Sequence, residues 1–140
     1  MYKHILLAAD GSKHAETAAK HAAYLAKGDS NAKVTVVYVV DAVSSKHDVI
    51  SSGGNGAYLE AVRHERIRPI EQILEEEGVT FEYKLLKGEP GPTINRFAKE
   101  EEMDVIVIGS RGLNAIQEMV LGSVSHKVSH GAPCPVMIVK

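Results

Sequence analysis

The sequence of 140 residues contains a single cysteine, Cys134, and no tryptophan. One cysteine cannot form an internal disulfide, and this usage is typical of a protein from a reducing compartment. Aromatic residues make up only 5% of the chain. Such a scarcity argues against a surface that stacks on the bases of single-stranded nucleic acid.

The sequence also lacks a large excess of charge of either sign, and it lacks long apolar runs. The 16 basic and 18 acidic residues leave a formal net charge of −2 without a cluster of Lys and Arg, so nucleic acid is not an expected partner. No apolar run approaches the roughly 18–20 residues that cross a bilayer. The apolar residues 5–9 near the N-terminus are fewer than the about 7–15 of a signal-peptide core. We therefore expect a cytoplasmic protein with no membrane partner.

The pattern that is present is an alternation of short β-branched runs with longer helical segments, which indicates an α/β fold. The length suits a single domain, residues 1–140. We expect an open, doubly wound sheet of five parallel strands in the order 3-2-1-4-5, with helices on both faces. The predicted strands are residues 4–9, 34–40, 80–86, 103–108 and 135–140, and the predicted helices include residues 12–27, 57–77 and 122–131.

Residues 41–56 (DAVSSKHDVISSGGNG) interrupt this alternation. The segment is rich in Ser and Gly and has no apolar periodicity. A stretch of this composition and length is typical of a lid or a disordered linker. It is predicted to be a flexible loop without secondary structure.

The most informative motif is residues 109–112 (GSRG), followed after nine residues by Gly122-Ser123. The first glycine ends a predicted buried strand, and the second pair opens a predicted helix. Glycine lets an anion approach the backbone, and a helix start presents unpaired N–H groups with partial positive charge. The motif is thus compatible with a polyphosphate site. Glycines also end strands and start turns in every α/β protein, so a purely structural reading stays open.

The predicted strand order adds a second constraint. Ligands of open α/β sheets bind at the carboxyl ends of strands where the order reverses, here between the first and fourth strands. Asp10 follows the first strand and Gly109 ends the fourth. Val39 and Val40, which end the second strand, offer an apolar slot for a flat base. No Gly-Lys pair and no G-x-G-x-x-G occur, so neither a P-loop nor a Rossmann dinucleotide site is predicted.

These residues resemble the universal stress protein family over essentially the full length. The matching stretches are residues 5–12 (ILLAADGS), 38–41 (YVVD), 88–90 (GEP), 103–112 (MDVIVIGSRG), 121–124 (LGSV) and 135–140 (PVMIVK). The spacing G-x2-G-x9-G-S is similar to that of the family's ATP-binding branch. The segment 41–56 has no clear counterpart.

The resemblance implies a set of roles. Gly109, Gly112, Gly122 and Ser123 would hold the phosphates and ribose, Val39 would contact adenine, and Asp10 would lie near the ribose or a metal-bound phosphate; Ile108, Arg111 and Val124 would line the site. The ligand would be ATP, with Mg²⁺ brought by the nucleotide. Family members are commonly dimers, often through the last strand, which implies a homodimer.

The favoured hypothesis is a nucleotide-responsive stress or regulatory protein with little or no turnover and no catalytic residues. The alternatives are a slow ATPase or a nucleotidyl- or phosphoryl-transferase, and a dimeric scaffold that binds no nucleotide. A flavin carrier ranks last, because only Ser12 stands where a phosphate-binding hydroxyl cluster would be expected. His126 and His130 have a metal-ligand spacing, but exposed imidazoles are the preferred interpretation, so no metal ligands are predicted.

Overall fold

The computed structural model describes residues 2–51, 53–111 and 122–140. In chain order their elements are β1 (His4–Ala9), α1 (Lys13–Ala26), β2 (Lys33–Val40), α2 (Ala42–Ser51), α3 (Gly56–Glu76), β3 (Thr80–Lys87), α4 (Pro90–Glu100), β4 (Val105–Gly109), α5 (Ser123–Gly131) and β5 (Val136–Val139). No helix within these three ranges has both the length and the apolar character that a membrane span requires.

The five strands form one parallel sheet in the order β3-β2-β1-β4-β5, which confirms the predicted fold class. Leu7 on β1 lies opposite Val36 on β2 and Val107 on β4. The chain leaves β1 toward β2 and β3 and later crosses to β4 and β5. The carboxyl ends of β1 and β4 are therefore adjacent at the point where the strand order reverses.

Each face of the sheet has its own apolar core. On one face, α1 and α3 cover side chains that include Leu7, Val36 and Val107. The helix α1 lies close to the sheet because its buried residues are all alanines: Ala15, Ala18, Ala19, Ala22, Ala23 and Ala26. On the other face, α4 and α5 cover a smaller core that includes Leu6, Ile106 and Ile108. The candidate site lies at the carboxyl ends of the strands, between the two layers of helices.

The prediction of a loop without secondary structure at residues 41–56 is wrong, because Ala42–Ser51 form α2. Few residues remain between α2 and α3, and they include Gly53 and Gly54, whose φ angles are +66° and +80°. Asn55 then caps α3 by accepting a hydrogen bond from the Tyr58 N–H at 3.0 Å. The helix was missed because the sequence of the segment has no apolar periodicity, and its ion pairs to α3, described below, leave no local pattern. The flexibility of the segment stays a prediction.

Candidate functional site

The loop after β1 is fixed by hydrogen bonds of its own side chains. The Ser12 N–H donates to Asp10 Oδ1 at 2.9 Å, and Ser12 Oγ accepts from the Ala15 N–H at 3.2 Å as the N-cap of α1. Between them Gly11 has a φ of +84°, a conformation that a side chain would strain. Asp10 is half-buried and is held at the carboxyl end of β1, as the sequence predicts.

Two hydrogen bonds join the start of α5 to the end of β4. The Gly122 N–H donates to the Ser110 carbonyl at 2.6 Å, and the buried Ser125 hydroxyl donates to the Gly109 carbonyl at 2.6 Å. The Ser110 N–H donates to the Val139 carbonyl at 2.7 Å and so extends the pairing of β4 with β5. The glycine segments that are separated by nine residues in the sequence are therefore in contact.

The N-terminus of α5 lies at this junction. Its N-cap, Gly122, is extended (φ −67°, ψ 159°) and provides no side-chain cap, and Ser123 is exposed. The first N–H groups of a helix have no intrahelical partners and give it partial positive charge. Because the Gly122 N–H is already bound to Ser110, the donors available to an anion here belong to the residues that follow Gly122.

Gly109 has a packing role that the sequence does not reveal. A Cβ atom added at Gly109 would lie 2.7 Å from the His14 Cβ and 3.0 Å from the His14 backbone carbon. The first turn of α1 thus packs directly on the end of β4, and only glycine fits. The half-buried His14 also places its Nδ1 3.4 Å from Ser110 Oγ. Sequence reasoning missed His14; its place two residues after the N-cap Ser12, next to β4 in the predicted strand order, was the available signal.

The three apolar residues predicted to line the site lie on one face of the sheet. Ile108 is buried in the core under α4 and α5, and Val39 and Val124 are partly buried against that core. They come from β2, β4 and α5, whose ends all reach this edge of the sheet. The arrangement forms an apolar wall beside the polar loops of Asp10 and Ser110.

Arg111 follows Ser110 directly and is half-buried. Within the described ranges no carboxylate lies in ion-pair distance of its guanidinium. The remaining predicted site residue, Gly112, lies outside the described residues.

A buried ion-pair network near this edge was not predicted. Asp48 on α2 is only 2% exposed and accepts hydrogen bonds from two arginines of α3. Arg66 donates to both carboxylate oxygens, at 2.8 and 3.2 Å, and Arg63 Nε donates at 3.2 Å. Arg66 also donates to the Tyr38 hydroxyl at 2.9 Å, and Arg63 to Ser45 Oγ at 3.2 Å.

This network fixes α2 against α3 and β2. The hydrogen bonds that Arg66 donates to Asp48 are the main reason why the pKa of Asp48 is lowered, and the hydrogen bonds that Arg66 donates to Asp48 and Tyr38 raise its own pKa. The backbone of Arg66 also passes close to the first loop, because a Cβ at Gly11 would lie 3.5 Å from its carbonyl oxygen. The helix α2 is thus bound, through Arg66, beside the Asp10 loop.

A separate cleft of about 480 Å³ lies between α4 and α5, away from the glycine segments. Its lining residues are Glu89, Pro92, Asn95, His126, Lys127, His130 and Gly131. The rings of His126 and His130 stack with centroids 6.3 Å apart, and both residues are exposed. Across residues 2–51, 53–111 and 122–140, no group of three or more His, Cys, Asp or Glu side chains is arranged to hold a metal ion.

Cys134 is half-buried before β5. Burial raises the pKa of its thiol, which favours the protonated form over the nucleophilic thiolate. The cysteine therefore packs as an apolar residue at the margin of the core under α4 and α5.

Known proteins are similar to this chain in both sequence and architecture. The universal stress protein YxiE of Bacillus subtilis is 36% identical over 151 aligned residues, and the alignment covers all of both chains. The structure of protein MJ0577 has a TM-score of 0.84 at 29% identity, covering 100% of this chain and 96% of that one. The universal stress protein of Archaeoglobus fulgidus, solved in complex with dAMP, has a TM-score of 0.73 at 29% identity, covering 99% of this chain and 98% of that one.

The sequence profile of the universal stress protein family matches residues 1–140, the whole of this chain. The match includes both glycine segments and the loop after β1. With the shared strand order and the full-length relative, it leads to one conclusion: the chain belongs to the universal stress protein family.

Proposed function

We propose that this protein is a nucleotide-responsive stress protein, a single domain that binds ATP in the crevice between β1, β4 and the start of α5. The observation that carries the proposal is the junction of Gly122 and Ser125 with the end of β4, which sets a helix N-terminus beside the Asp10 loop. This is the point where ligands of open α/β sheets bind. The dAMP complex of the Archaeoglobus fulgidus relative supports an adenine nucleotide as the ligand.

The phosphates and ribose are assigned to Gly109, Gly112, Gly122 and Ser123. The positive end of α5 attracts the phosphate charge, and the exposed Ser123 hydroxyl offers a further donor. Arg111 adds a cation at the same edge. Asp10 faces the ribose or a phosphate-bound Mg²⁺, and the nucleotide brings this ion, since the described residues provide no group of three ligands for one.

The adenine is assigned to the apolar wall. Val39 is partly buried at the end of β2, where a flat base can cover its exposed part. Ile108 and Val124 line the same wall from β4 and α5. Burying this apolar surface would contribute about 25 cal/mol per Å² to binding.

Turnover is expected to be slight. Phosphoryl transfer needs a positioned nucleophile and charge stabilisation. The carboxylate of Asp10 already accepts the Ser12 N–H, so the fold itself uses this group. The protein is therefore proposed to signal by nucleotide occupancy in the cytoplasm.

Pairing of two copies is assigned to β5, the edge strand at one side of the sheet. The carbonyls of Pro135 and Val139 point toward β4, where they accept from Ile106 and Ser110. Because backbone groups alternate in direction along a strand, those of Val136 and Ile138 face outward. An unpaired edge of this kind can pair with a second copy to form a homodimer.

Substitution at Gly122 tests the nucleotide site. Gly122→Val keeps an allowed backbone conformation at φ −67° but places a branched side chain at the start of α5. The affinity for a fluorescent ATP analogue, measured by anisotropy, should fall more than tenfold. Gly56→Val is the matched control, because Gly56 begins α3 with no atom within 4 Å of an added Cβ. Equal affinities in two folded variants would contradict the proposal.

A further inference from the structure

His14 lies where the loop after β1 meets the end of β4. It is the second residue of α1, and its Cβ and backbone occupy the space beside Gly109 that any side chain there would need. Its Nδ1 lies 3.4 Å from the hydroxyl of Ser110, a residue only 3% exposed. His14 is half-buried; its Cβ and backbone pack on Gly109, and its ring approaches Ser110, the next residue.

The same two residues hold the N-terminus of α5. The Gly109 carbonyl accepts from the Ser125 hydroxyl, and the Ser110 carbonyl accepts from the Gly122 N–H. Ser110 therefore contacts both His14, through its hydroxyl, and the start of α5, through its carbonyl. A phosphate group bound across Gly109 and the start of α5 would lie next to the imidazole.

We propose that His14 is a proton-linked phosphate-binding residue: the protein takes up a proton on this imidazole when the nucleotide binds. The inference rests on the proposed function, which supplies the phosphates. Imidazole changes its charge within the physiological pH range, and a nearby anion favours the charged form. The proton comes from solvent and joins the unprotonated ring nitrogen. In the imidazolium both nitrogens donate, so one can serve Ser110 Oγ and the other a phosphate oxygen.

The charged side chains next to His14 in the chain are Asp10, Lys13 and Glu16. Arg111 follows Ser110, and Lys140 follows Val139, whose carbonyl accepts from the Ser110 N–H. Arg66 of α3, whose carbonyl lies near Gly11, is paired with Asp48, as is Arg63. The several negative charges of a nucleoside triphosphate would favour a positive charge on the imidazole.

The consequence is a nucleotide affinity that increases as the pH falls. A single linked proton can change the affinity by at most tenfold per pH unit, and a partial linkage gives a several-fold increase from pH 8 to pH 6. Occupancy by nucleotide would then respond to acidification as well as to nucleotide concentration.

The test is a calorimetric titration with Mg-ATP at pH 6, 7 and 8, in pairs of buffers that differ in ionisation heat. Wild type, His14→Gln and His21→Gln are compared. His21 is exposed on the same helix, about 10.5 Å further along its axis at ~1.5 Å per residue, so it is a matched control. Wild type and His21→Gln should take up the same fraction of a proton, and His14→Gln should retain only the contribution of ATP itself.

The outcomes separate the two proposals. Nucleotide binding with the same proton uptake and pH dependence in His14→Gln overturns the role of His14 and leaves the proposed function standing. Absence of binding by wild type overturns both. If His14→Gln does not fold, the imidazole titration of wild type is followed by NMR, with and without Mg-ATP. Its midpoint must move to higher pH in the complex, and an unchanged midpoint overturns the inference.

Discussion

At Gly109 the first turn of α1 approaches β4 so closely that the glycine hydrogen fills the available space. The neighbouring atoms include backbone as well as side-chain atoms of His14, so they cannot all move aside. Gly109, which the sequence predicts to lie at an anion site, therefore also allows α1 to pack on the sheet. Both roles require the same residue, which explains why spacing alone leaves them unresolved.

Gly109→Ala should lower the free energy of unfolding by about 1–3 kcal/mol, because the added methyl group overpacks the contact with His14. Denaturant unfolding measures the change. Gly56→Ala is the control: its Cβ meets no atom within 4 Å and its φ is not positive. A change in Gly109→Ala no larger than in the control would contradict the close contact.

The buried Ser125 hydroxyl also contributes to stability, because its hydrogen bond to the Gly109 carbonyl joins α5 to β4. Ser125→Ala should lower the free energy of unfolding by about 1–2 kcal/mol, since the buried Gly109 carbonyl loses its donor. Ser129→Ala on the same helix removes only a local, exposed hydrogen bond to the His126 carbonyl. Chemical denaturation should show a change of less than about 0.5 kcal/mol for this control.

At the scale of elements, α2 is held by partners outside its own segment. Its Asp48 contacts Arg63 and Arg66, which are 15 and 18 residues away in the sequence. A local pattern cannot report such contacts, so a Ser- and Gly-rich stretch suggested a loop. The strands β1, β2 and β4 were predicted correctly for the opposite reason: their apolar runs directly reflect burial on both faces of the sheet.

Asp48→Asn should detach α2, because Arg63 would be left buried without a counter-charge. Removing one partner of a buried pair costs roughly 3–5 kcal/mol, and the partial exposure of Arg66 places the expected loss near the lower end. Limited proteolysis should reveal new cleavage within residues 42–55. Glu60→Gln, an exposed carboxylate on α3, is the control. An uncleaved Asp48→Asn variant would show that α2 is held by other contacts.

The ion pairs of Asp48 with Arg63 and Arg66 also predict how α2 responds to acid. The pKa of Asp48 is lowered in the folded protein, so its ionised form is stabilised by folding. This stabilisation is fully present above the unfolded-state pKa, near 3.9, and is lost as the pH falls through the lowered folded value. Amide hydrogen exchange in α2 should therefore be unchanged between pH 7 and pH 5, after correction for intrinsic rates, and its protection should decrease below about pH 4. In Asp48→Asn this acid-dependent loss should be absent.

For the whole molecule, the order of the strands decides where a site can form. The alternation of elements and the resemblance to a known family were sufficient to predict β3-β2-β1-β4-β5, and hence the crevice between β1 and β4. The positions of Asp10, Val39, Gly109 and Gly122 at strand or helix ends could be predicted from the sequence, and Ile108 was named through the family resemblance; their roles in a site stay predictions. His14 was missed, because its position after the N-cap Ser12 does not reveal how closely α1 approaches Gly109; the small alanine side chains of α1 set that distance.

The proposed homodimer also belongs to this scale. Light scattering should give twice the 15.1 kDa mass of the chain. Val136→Pro removes an outward N–H at the start of β5, a position where proline is tolerated in an edge strand, and should shift the protein toward monomer. A folded variant with an unchanged dimeric mass would place the interface elsewhere.

The most direct measurement is a calorimetric titration of purified, nucleotide-stripped protein with Mg-ATP, with released phosphate assayed in the same sample. Saturation at one nucleotide per chain with negligible phosphate release is the expected result. An efficient turnover of ~1–100 s⁻¹ would contradict the assignment to a binding protein. Absence of binding would mean that Gly109 and Gly122 serve only the packing of α1 and α5 on the sheet.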